Sequence, residues 1–355
     1  MSQPASRLPI LDFSRFDAGP VERAAFLADL GTTAREVGFF YLVGHGISRG
    51  KAECVAALAH RFFALPHAEK HAIEMVNSPH FRGYNRAARE LTRGRPDWRE
   101  QIDIGVERPA LPVGPGAPPW ARLQGPNQWP TALPDLRPVA ESWIADLTEL
   151  GIRLLKAFAL ALGQPEDVFA PIYDPAPNIL LKLIRYPGRD TTDSDQGVGA
   201  HKDGGFLTLL YQADQPGLQV EAADGTWIDA PPVPGSFVVN IGELLELASD
   251  GYLKGTLHRA VTPPAGSERL SIGFFLGANL DASVPQLTLP PDLAAKRRGV
   301  TRDPSNPLLR NVGLNALKSR LRSHPDVAQR HHADLVASLK LSGQPASAYA
   351  EPVDA

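Results

Sequence analysis

The sequence predicts a mainly β fold with flanking helices: a sandwich or barrel core behind a helical N-terminal region. Three observations carry this. From residue 178 onward, short apolar segments recur with turn residues between them and no long helix interleaved. Before residue 163, several stretches instead show apolar residues at helical spacing. Glycine and proline, 31 and 34 residues, together form about 18% of the 355-residue chain. That exceeds an average usage of roughly 12% and implies many tight turns.

The elements follow in order. LPILDF reads as a short strand, and VERAAFLADLGTTAREV as a helix ending before Gly38. GFFYLVGHGIS is a buried strand closed by a glycine-rich turn. A helix covers Lys51 to Leu65, stopped by Pro66, and HAEKHAIEM starts another. From Ser78 to Pro138 the pattern loosens into a proline-rich, irregular excursion, read as a lid over one face of the core. A helix spans Leu136 to Leu162. Then ILLKLIRYP, FLTLLYQ, GLQVEA, TWIDA, SFVVNIG, LHRAVTP and RLSIGFFLGA read as strands, with one short helix, ELLELAS, among them. The tail NALKSRLRSHPDVAQRHHADLVASL is helical, with a break at Pro325. These elements divide the chain into an N-terminal region with its lid, 1–135, and a core with a helical tail, 136–355, expected to form one structural unit.

Composition excludes several classes. Hydrophobic residues make up 43%, charged residues 21%, and the net charge is -3, as in a soluble globular protein. No Lys/Arg-rich run could track a phosphate backbone, so no nucleic-acid partner is expected. No basic start with a following apolar run marks a signal peptide, and no apolar window suits a membrane span, so a cytoplasmic protein is expected. The single cysteine, Cys54, makes no disulfide and reads as a buried structural thiol. Oligomeric state is not legible.

The chemistry gathers in the core. VGAHKDGGF holds His201 and Asp203 two residues apart, which on a strand puts both on one side. His258, 55 residues beyond Asp203, is the natural third ligand. Two imidazoles and a carboxylate on one face of an octahedron leave three positions open, the arrangement of non-haem iron(II) oxygenases. Eleven residues past His258 stands Arg269, with Ser271 two further on. A guanidinium fork beside a hydroxyl suits a carboxylate. Each piece also has an ordinary reading: His-x-Asp as turn capping, His258 as a satisfied core residue, Arg-x-Ser as solvated. Their order and spacing together are much less common. Six other histidines, His60, His67, His71, His324, His331 and His332, fall in helical stretches expected to be exposed; His45 sits in a glycine-flanked turn and His80 beside a proline.

At these residues the chain resembles the iron(II)/2-oxoglutarate-dependent dioxygenases of the isopenicillin N synthase-like family. GFFYLVGHGIS, GPNQWP, LIRYP, HKDGGFLTLLYQ, GLQVE, SFVVNIGELLE and LHRAV…RLSIGFF match its motifs in order across nearly the whole chain. The resemblance implies a double-stranded β-helix, or jelly roll, with iron held by His201, Asp203 and His258. It implies that Arg269, Ser271 and Tyr186 hold the distal carboxylate of 2-oxoglutarate. One departure stands out. Where the family often has an asparagine two residues before the tyrosine, this chain has Ile184. Isopenicillin N synthase also has a hydrophobic residue there and uses no 2-oxoglutarate.

The resemblance thus implies an oxidoreductase using Fe(II), O2 and 2-oxoglutarate, releasing succinate and CO2 while hydroxylating, desaturating or cyclising a small, carboxylate-bearing substrate. The alternatives are an oxidase without 2-oxoglutarate, a non-catalytic metal- or carboxylate-binding jelly roll, and a zinc hydrolase, which lacks a general base beside the ligands. Substrate-lining residues are expected at Arg82, Tyr84, Phe206 and Phe275. Arg82 looks aligned with the arginine that holds one end of the synthase's peptide. Asp97 and Glu100 either tie the lid to the core or face substrate.

Overall fold

A computed structural model describes residues 7–300, 303 and 306–341. Residues 1–6, the start of the segment in which no signal peptide is read, lie outside them. The first half of the chain holds β1 (Ile10–Asp12), α1 (Pro20–Glu36), β2 (Phe39–Val43), α2 (Arg49–Phe63), α3 (His67–Ala72) and β3 (Gly83–Asn85). A small hairpin, β4 (Leu91–Thr92) and β5 (Arg95–Pro96), leads to β6 (Glu100–Gly105), α4 (Leu136–Ala161) and α5 (Ala170–Tyr173). The core strands are β7 (Ile179–Tyr186), β8 (Gln196–His201), β9 (Leu207–Gln212), β10 (Leu218–Glu221), β11 (Trp227–Asp229) and β12 (Phe237–Ile241). After α6 (Glu243–Ala248) come β13 (His258–Val261), β14 (Arg269–Leu276) and α7 (Pro291–Ala294). The helices α8 (Val312–Ser323), α9 (Pro325–His331) and α10 (Ala333–Leu341) close the described chain.

Local chemistry sets these boundaries. Pro20 opens α1, where a missing N–H costs nothing. At the other end, Gly38 takes a left-handed φ of 72°, and a Cβ there would lie 2.1 Å from the Lys254 carbonyl oxygen. Only glycine fits that turn into β2. Ser48 caps α2 by accepting from the Lys51 N–H, and Asn311 caps α8 by accepting from Leu314.

The strands form an eight-stranded sheet in the order β1-β2-β12-β9-β14-β7-β6-β3 and a four-stranded sheet in the order β11-β10-β13-β8. β1 and β2 run parallel; the other pairs in both sheets are antiparallel. The sheets face each other as a jelly roll. Between them lie two apolar patches. One joins Phe39, Tyr41 and Val238 of the large sheet to Leu218 and Val220 of the small one. The other joins Ile184 and Tyr186 to Val198 and Ala260. The space between these patches is where the polar chemistry sits.

The outer face of the large sheet packs on helices. Leu181, Leu183, Leu207, Leu209, Ile272 and Phe274 meet α4 through Trp143, Leu147, Leu150 and Leu154 in one core. Alternation decides which residues go there: along β7 the odd positions turn outward to helix and the even ones inward to the opposing sheet. Each large apolar side chain so buried stabilises by about 1.5–3 kcal/mol.

Several expectations change. The stretch 78–138 is not uniformly irregular: β3 and β6 lie within it and extend the large sheet past β7. Their pairing partners are distant in sequence, and β6 (EQIDIG) has only two apolar residues, so local pattern hides it. Cys54 is exposed; on α2 the buried face runs through Ala52, Val55, Ala56 and Ala59, and position 54 falls outside it. His324 and His332 are buried, because α8 and α9 fold back onto Phe81, whose ring stacks on His332 at 5.2 Å.

Trp143 is fully buried and tilts against Phe237 at 5.8 Å. Trp143→Ala is expected to lower unfolding free energy by about 3–5 kcal/mol, measured by denaturant titration. A loss within about 0.5 kcal/mol, the range of a surface position, would contradict this packing.

Candidate active site

His201 ends β8 and His258 begins β13, and the two stand opposite each other in the small sheet. Asp203 is not on the strand. It lies in the turn between β8 and β9, and the turn still brings its carboxylate to the two imidazoles. That turn is pinned from α6: the Glu243 N–H donates to the Asp203 carbonyl at 2.7 Å, and the Gly242 N–H to the Phe206 carbonyl at 3.0 Å. A Cβ on Gly242 would lie 2.1 Å from the Gly205 carbonyl oxygen, so the approach requires glycine.

The three side chains converge. Asp203 Oδ1 lies 3.5 Å from His201 Nε2 and 3.6 Å from His258 Nε2, and one donor atom from each falls within 4.8 Å of the others. Each imidazole is oriented by a main-chain carbonyl: His201 Nδ1 to Gly199 at 2.8 Å, His258 Nδ1 to Thr256 at 3.1 Å. Those carbonyls need Nδ1–H, which leaves each Nε2 lone pair free to bind a cation. Asp203 Oδ2 accepts from Thr208 Oγ1 and from Asn240 Nδ2 at 2.8 Å, leaving Oδ1 toward the histidines. Burial opposes ionisation of Asp203, but His258, His201 and Thr208 outweigh it and hold the carboxyl well below its usual range. Burial, reinforced by His201, pushes His258 down to about 4, so its imidazole is neutral near pH 7. Burial lowers the His201 pKa, but the Asp203 carboxylate outweighs it and raises it, so a bound cation would take the place of that proton. Two imidazoles and one carboxylate, with His201 partly open to solvent, suit a divalent ion with vacant positions.

Beside this triad lies a second constellation. Arg269 and Ser271 of β14 face the interior, level with Tyr186 and Ile184 of β7. The Arg269 guanidinium lies 4.8 Å over the Tyr186 ring and donates through Nη2 to Gln212 Oε1 at 2.9 Å. Arg269 is 1% exposed and has no acidic partner among the described residues. Its Nε and Nη1, and Ser271 Oγ, are buried without a hydrogen-bond partner there. Leaving such donors unmade is costly. Burial also pulls the Arg269 pKa down, opposed by Tyr186. An uncompensated guanidinium next to a free hydroxyl has the donors that a carboxylate could accept from.

The four expected substrate residues part company. Phe275, two positions beyond Gly273 on β14, shares the inward side with Arg269 and Ser271 and is partly exposed. Tyr84 faces outward: its hydroxyl donates to Glu100 Oε2, and its ring packs on Phe62 at 5.9 Å. Phe206 is fully buried in the helix-facing core, edge-on to Phe169 at 6.2 Å. Arg82 is buried, donating to the carbonyls of His80 and Leu123 at 3.1 and 3.3 Å. Glu100 ties the lid to the outer core through Lys70 and Arg185. Asp97 reaches the site indirectly, accepting from the Gly199 N–H at 3.0 Å, the residue that orients His201. Sequence reasoning missed Thr208, Asn240 and Gln212. The available signal was a polar residue on an inward strand position. A cleft of about 340 Å³ near His45, Tyr211 and Phe237 lies elsewhere and shares only Gln212 with this site; donor geometry, not cleft size, marks the site.

Known proteins are similar to this chain. Residues 8–132 match the family described as non-haem dioxygenase in morphine synthesis N-terminal, and residues 177–278 match the 2OG-Fe(II) oxygenase superfamily. The chain is thus an oxidoreductase of the non-haem iron class. It belongs to the iron(II)/2-oxoglutarate-dependent oxygenases of the isopenicillin N synthase-like group. It is 36% identical over 351 residues to the 2-oxoglutarate-dependent dioxygenase frbJ of Dothideomycetidae sp. (strain 11243), covering 94% of each chain. It is 36% identical to homoarginine-6-hydroxylase 2-ODD-C23.1 of Arabidopsis thaliana, over 79% of this chain and 88% of that one. A full-length Neurospora crassa protein, solved in complex with alpha-KG, superposes with a TM-score of 0.70 at 26% identity, over 88% of this chain and 94% of that one. Iron(II) and 2-oxoglutarate are accordingly its cofactor and cosubstrate, and it acts on a small molecule. The oxidase reading raised by Ile184 gives way to this. No helix among the described residues is long and apolar enough to cross a membrane.

The bonds from Thr208 and Asn240 hold the Asp203 carboxylate with Oδ1 toward the two histidines. Thr208→Val and Asn240→Ala are each expected to weaken divalent-metal affinity by about 10–100-fold, as for other partners of metal ligands. Competition against a chelating dye measures this; unchanged affinity in both would mean Asp203 needs no such support.

Proposed function

We propose that His201, Asp203 and His258 hold Fe(II), and that Arg269, Ser271 and Tyr186 hold the distal carboxylate of 2-oxoglutarate. The observation that carries this reading is the pair of buried, unpartnered donors on Arg269 with Ser271 Oγ beside them, on the inner face of the large sheet, across from the small sheet that carries the two histidines. A carboxylate there satisfies all three. The substrate is a small, carboxylate-bearing organic molecule, hydroxylated, desaturated or cyclised. The name of the Arabidopsis relative, a homoarginine hydroxylase, favours an amino-acid derivative.

The chain's own contributions follow from the geometry. Gln212 and the Tyr186 ring fix the Arg269 fork before 2-oxoglutarate arrives, so little rotamer freedom is lost on binding. Ile184, Val198 and Ala260 line the wall beside Tyr186 and exclude water, which strengthens the ion pair. Ile184 offers no hydrogen bond, so the distal carboxylate depends on β14 and Tyr186. The carbonyls of Gly199 and Thr256 keep both imidazoles aimed. Iron and 2-oxoglutarate, when bound, supply O2 activation coupled to decarboxylation of 2-oxoglutarate to succinate and CO2.

Anaerobic addition of 2-oxoglutarate to the Fe(II) protein is expected to produce a metal-to-ligand charge-transfer band. Arg269→Ala should weaken the titration by about 2–5 kcal/mol, the cost of truncating a buried charge pair. Arg269→Lys, without the planar fork, should restore part of it. His201→Ala should abolish both the band and O2 consumption. A wild-type titration with no band would overturn the assignment of this site.

A further inference from the structure

The inner face of the large sheet carries, at its β3–β6–β7 end, buried charges that the iron and 2-oxoglutarate residues leave unused. Gln101 and Asp103 of β6 stand level with Ile184 and Lys182 of β7. They therefore face the same side as Tyr186, Arg269 and Ser271. Lys182 Nζ donates to the two Glu90 oxygens at 3.0 and 3.2 Å, and Arg99 Nη2 to Glu90 Oε2 at 2.8 Å. Arg320 of α8 donates to Asp103 at 2.8 Å, and Gln101 Nε2 does so at 2.7 Å. The Glu90 and Arg99 side chains are 10% exposed, Lys182 7% and Asp103 0%. Burying so many ions is a poor route to stability, since a well-packed apolar filling generally does as well.

The set adjoins the metal triad. Arg99 lies 3.6 Å from Asp97, and Asp97 accepts the Gly199 N–H whose carbonyl orients His201. Two buried polar atoms of the set have no partner among the described residues: Arg99 Nε, a donor, and Gln101 Oε1, an acceptor. The Gln101 amide has its nitrogen committed to Asp103, which leaves the oxygen free. A donor and an acceptor thus stand unfilled two residues apart, the Arg99 guanidinium paired with Glu90 and the Gln101 amide tied to Asp103.

Resting on the oxygenase assignment above, we propose that this face reads a small zwitterion. Its carboxylate accepts from Arg99 Nε. Its protonated amine donates to Gln101 Oε1, with Glu90 and Asp103 behind. Arg320 makes α8 part of the specificity device by holding Asp103 in place. An apolar substrate would leave both atoms unfilled, a simple acid would leave Gln101, and a simple amine would leave Arg99.

The test uses the anaerobic Fe(II) protein saturated with 2-oxoglutarate. The twenty standard L-α-amino acids are titrated, each beside its carboxamide and its N-acetyl derivative, with indole-3-acetate as a single-charge aromatic control. Binding is read by calorimetry and by perturbation of the charge-transfer band. At least one zwitterion should bind, and capping either end should weaken it by about tenfold or more, as for loss of a hydrogen bond to a charged group. Gln101→Met and Arg99→Lys should each weaken it comparably, with the 2-oxoglutarate titration reporting whether each variant keeps an intact site. Equal binding by a capped derivative, tighter binding of indole-3-acetate, binding by no amino acid, or full binding in an intact variant overturns the proposal. If the charge-transfer band never forms yet the calorimetric pattern holds, the cosubstrate assignment has failed and the zwitterion reading stands.

Discussion

A carboxylate cannot sit dry between two sheets without compensation, and Asp203 shows how this fold supplies it. One oxygen is tied down by Thr208 of β9 and Asn240 of β12, neighbours in the large sheet. The other faces the imidazoles of β8 and β13, neighbours in the small sheet. The side chain is therefore a joint between the layers, and its position depends on register in both. A slip of one residue in β9 would turn Thr208 outward and carry the apolar Leu207 or Leu209 toward the acid. The same register puts Gln212 beside Arg269, so metal donors and carboxylate anchor are aligned by one set of backbone hydrogen bonds.

Much of this was legible in the sequence because it depends on local pattern. The α4 helix starts where its apolar period starts, and the β7 and β14 strands match their apolar runs. Spacing alone singled out the triad and Arg-x-Ser, since metal donors and carboxylate forks require particular residue types. What was not legible depends on partners far away in the chain. Nothing in EQIDIG announces that β6 will lie against β7. Tyr84 and Arg82 looked like site residues because aromatic and basic groups cluster there; the pairing of Tyr84 with Ile102 puts the tyrosine on the helix side. The spacing puts Asp203 on a strand and it lies in a turn, yet its carboxylate still meets both histidines because β8 ends at His201, only two residues before it.

The two faces of the large sheet divide their labour. Outward, toward α4, the filling is apolar and holds the molecule together. Inward, near β6, it is ionic, with Glu90, Lys182, Asp103 and Arg320 drawn from a loop, two strands and a C-terminal helix. Such pairings tolerate little displacement, because removing one member strands another in a dry place. They suit a surface that must hold one shape and distinguish among molecules, and they explain how segments distant in sequence come to share a wall.

The place of β2 in the large sheet has a consequence for how the molecule is made. FFYLV, residues 39–43, finds its antiparallel partner in β12, residues 237–241. On the ribosome, that apolar ribbon is synthesised long before anything exists to cover its open side. β1 shields one edge, while the other waits for nearly two hundred residues of further synthesis. A strand left open that long is a template for association with other chains until β12 covers it.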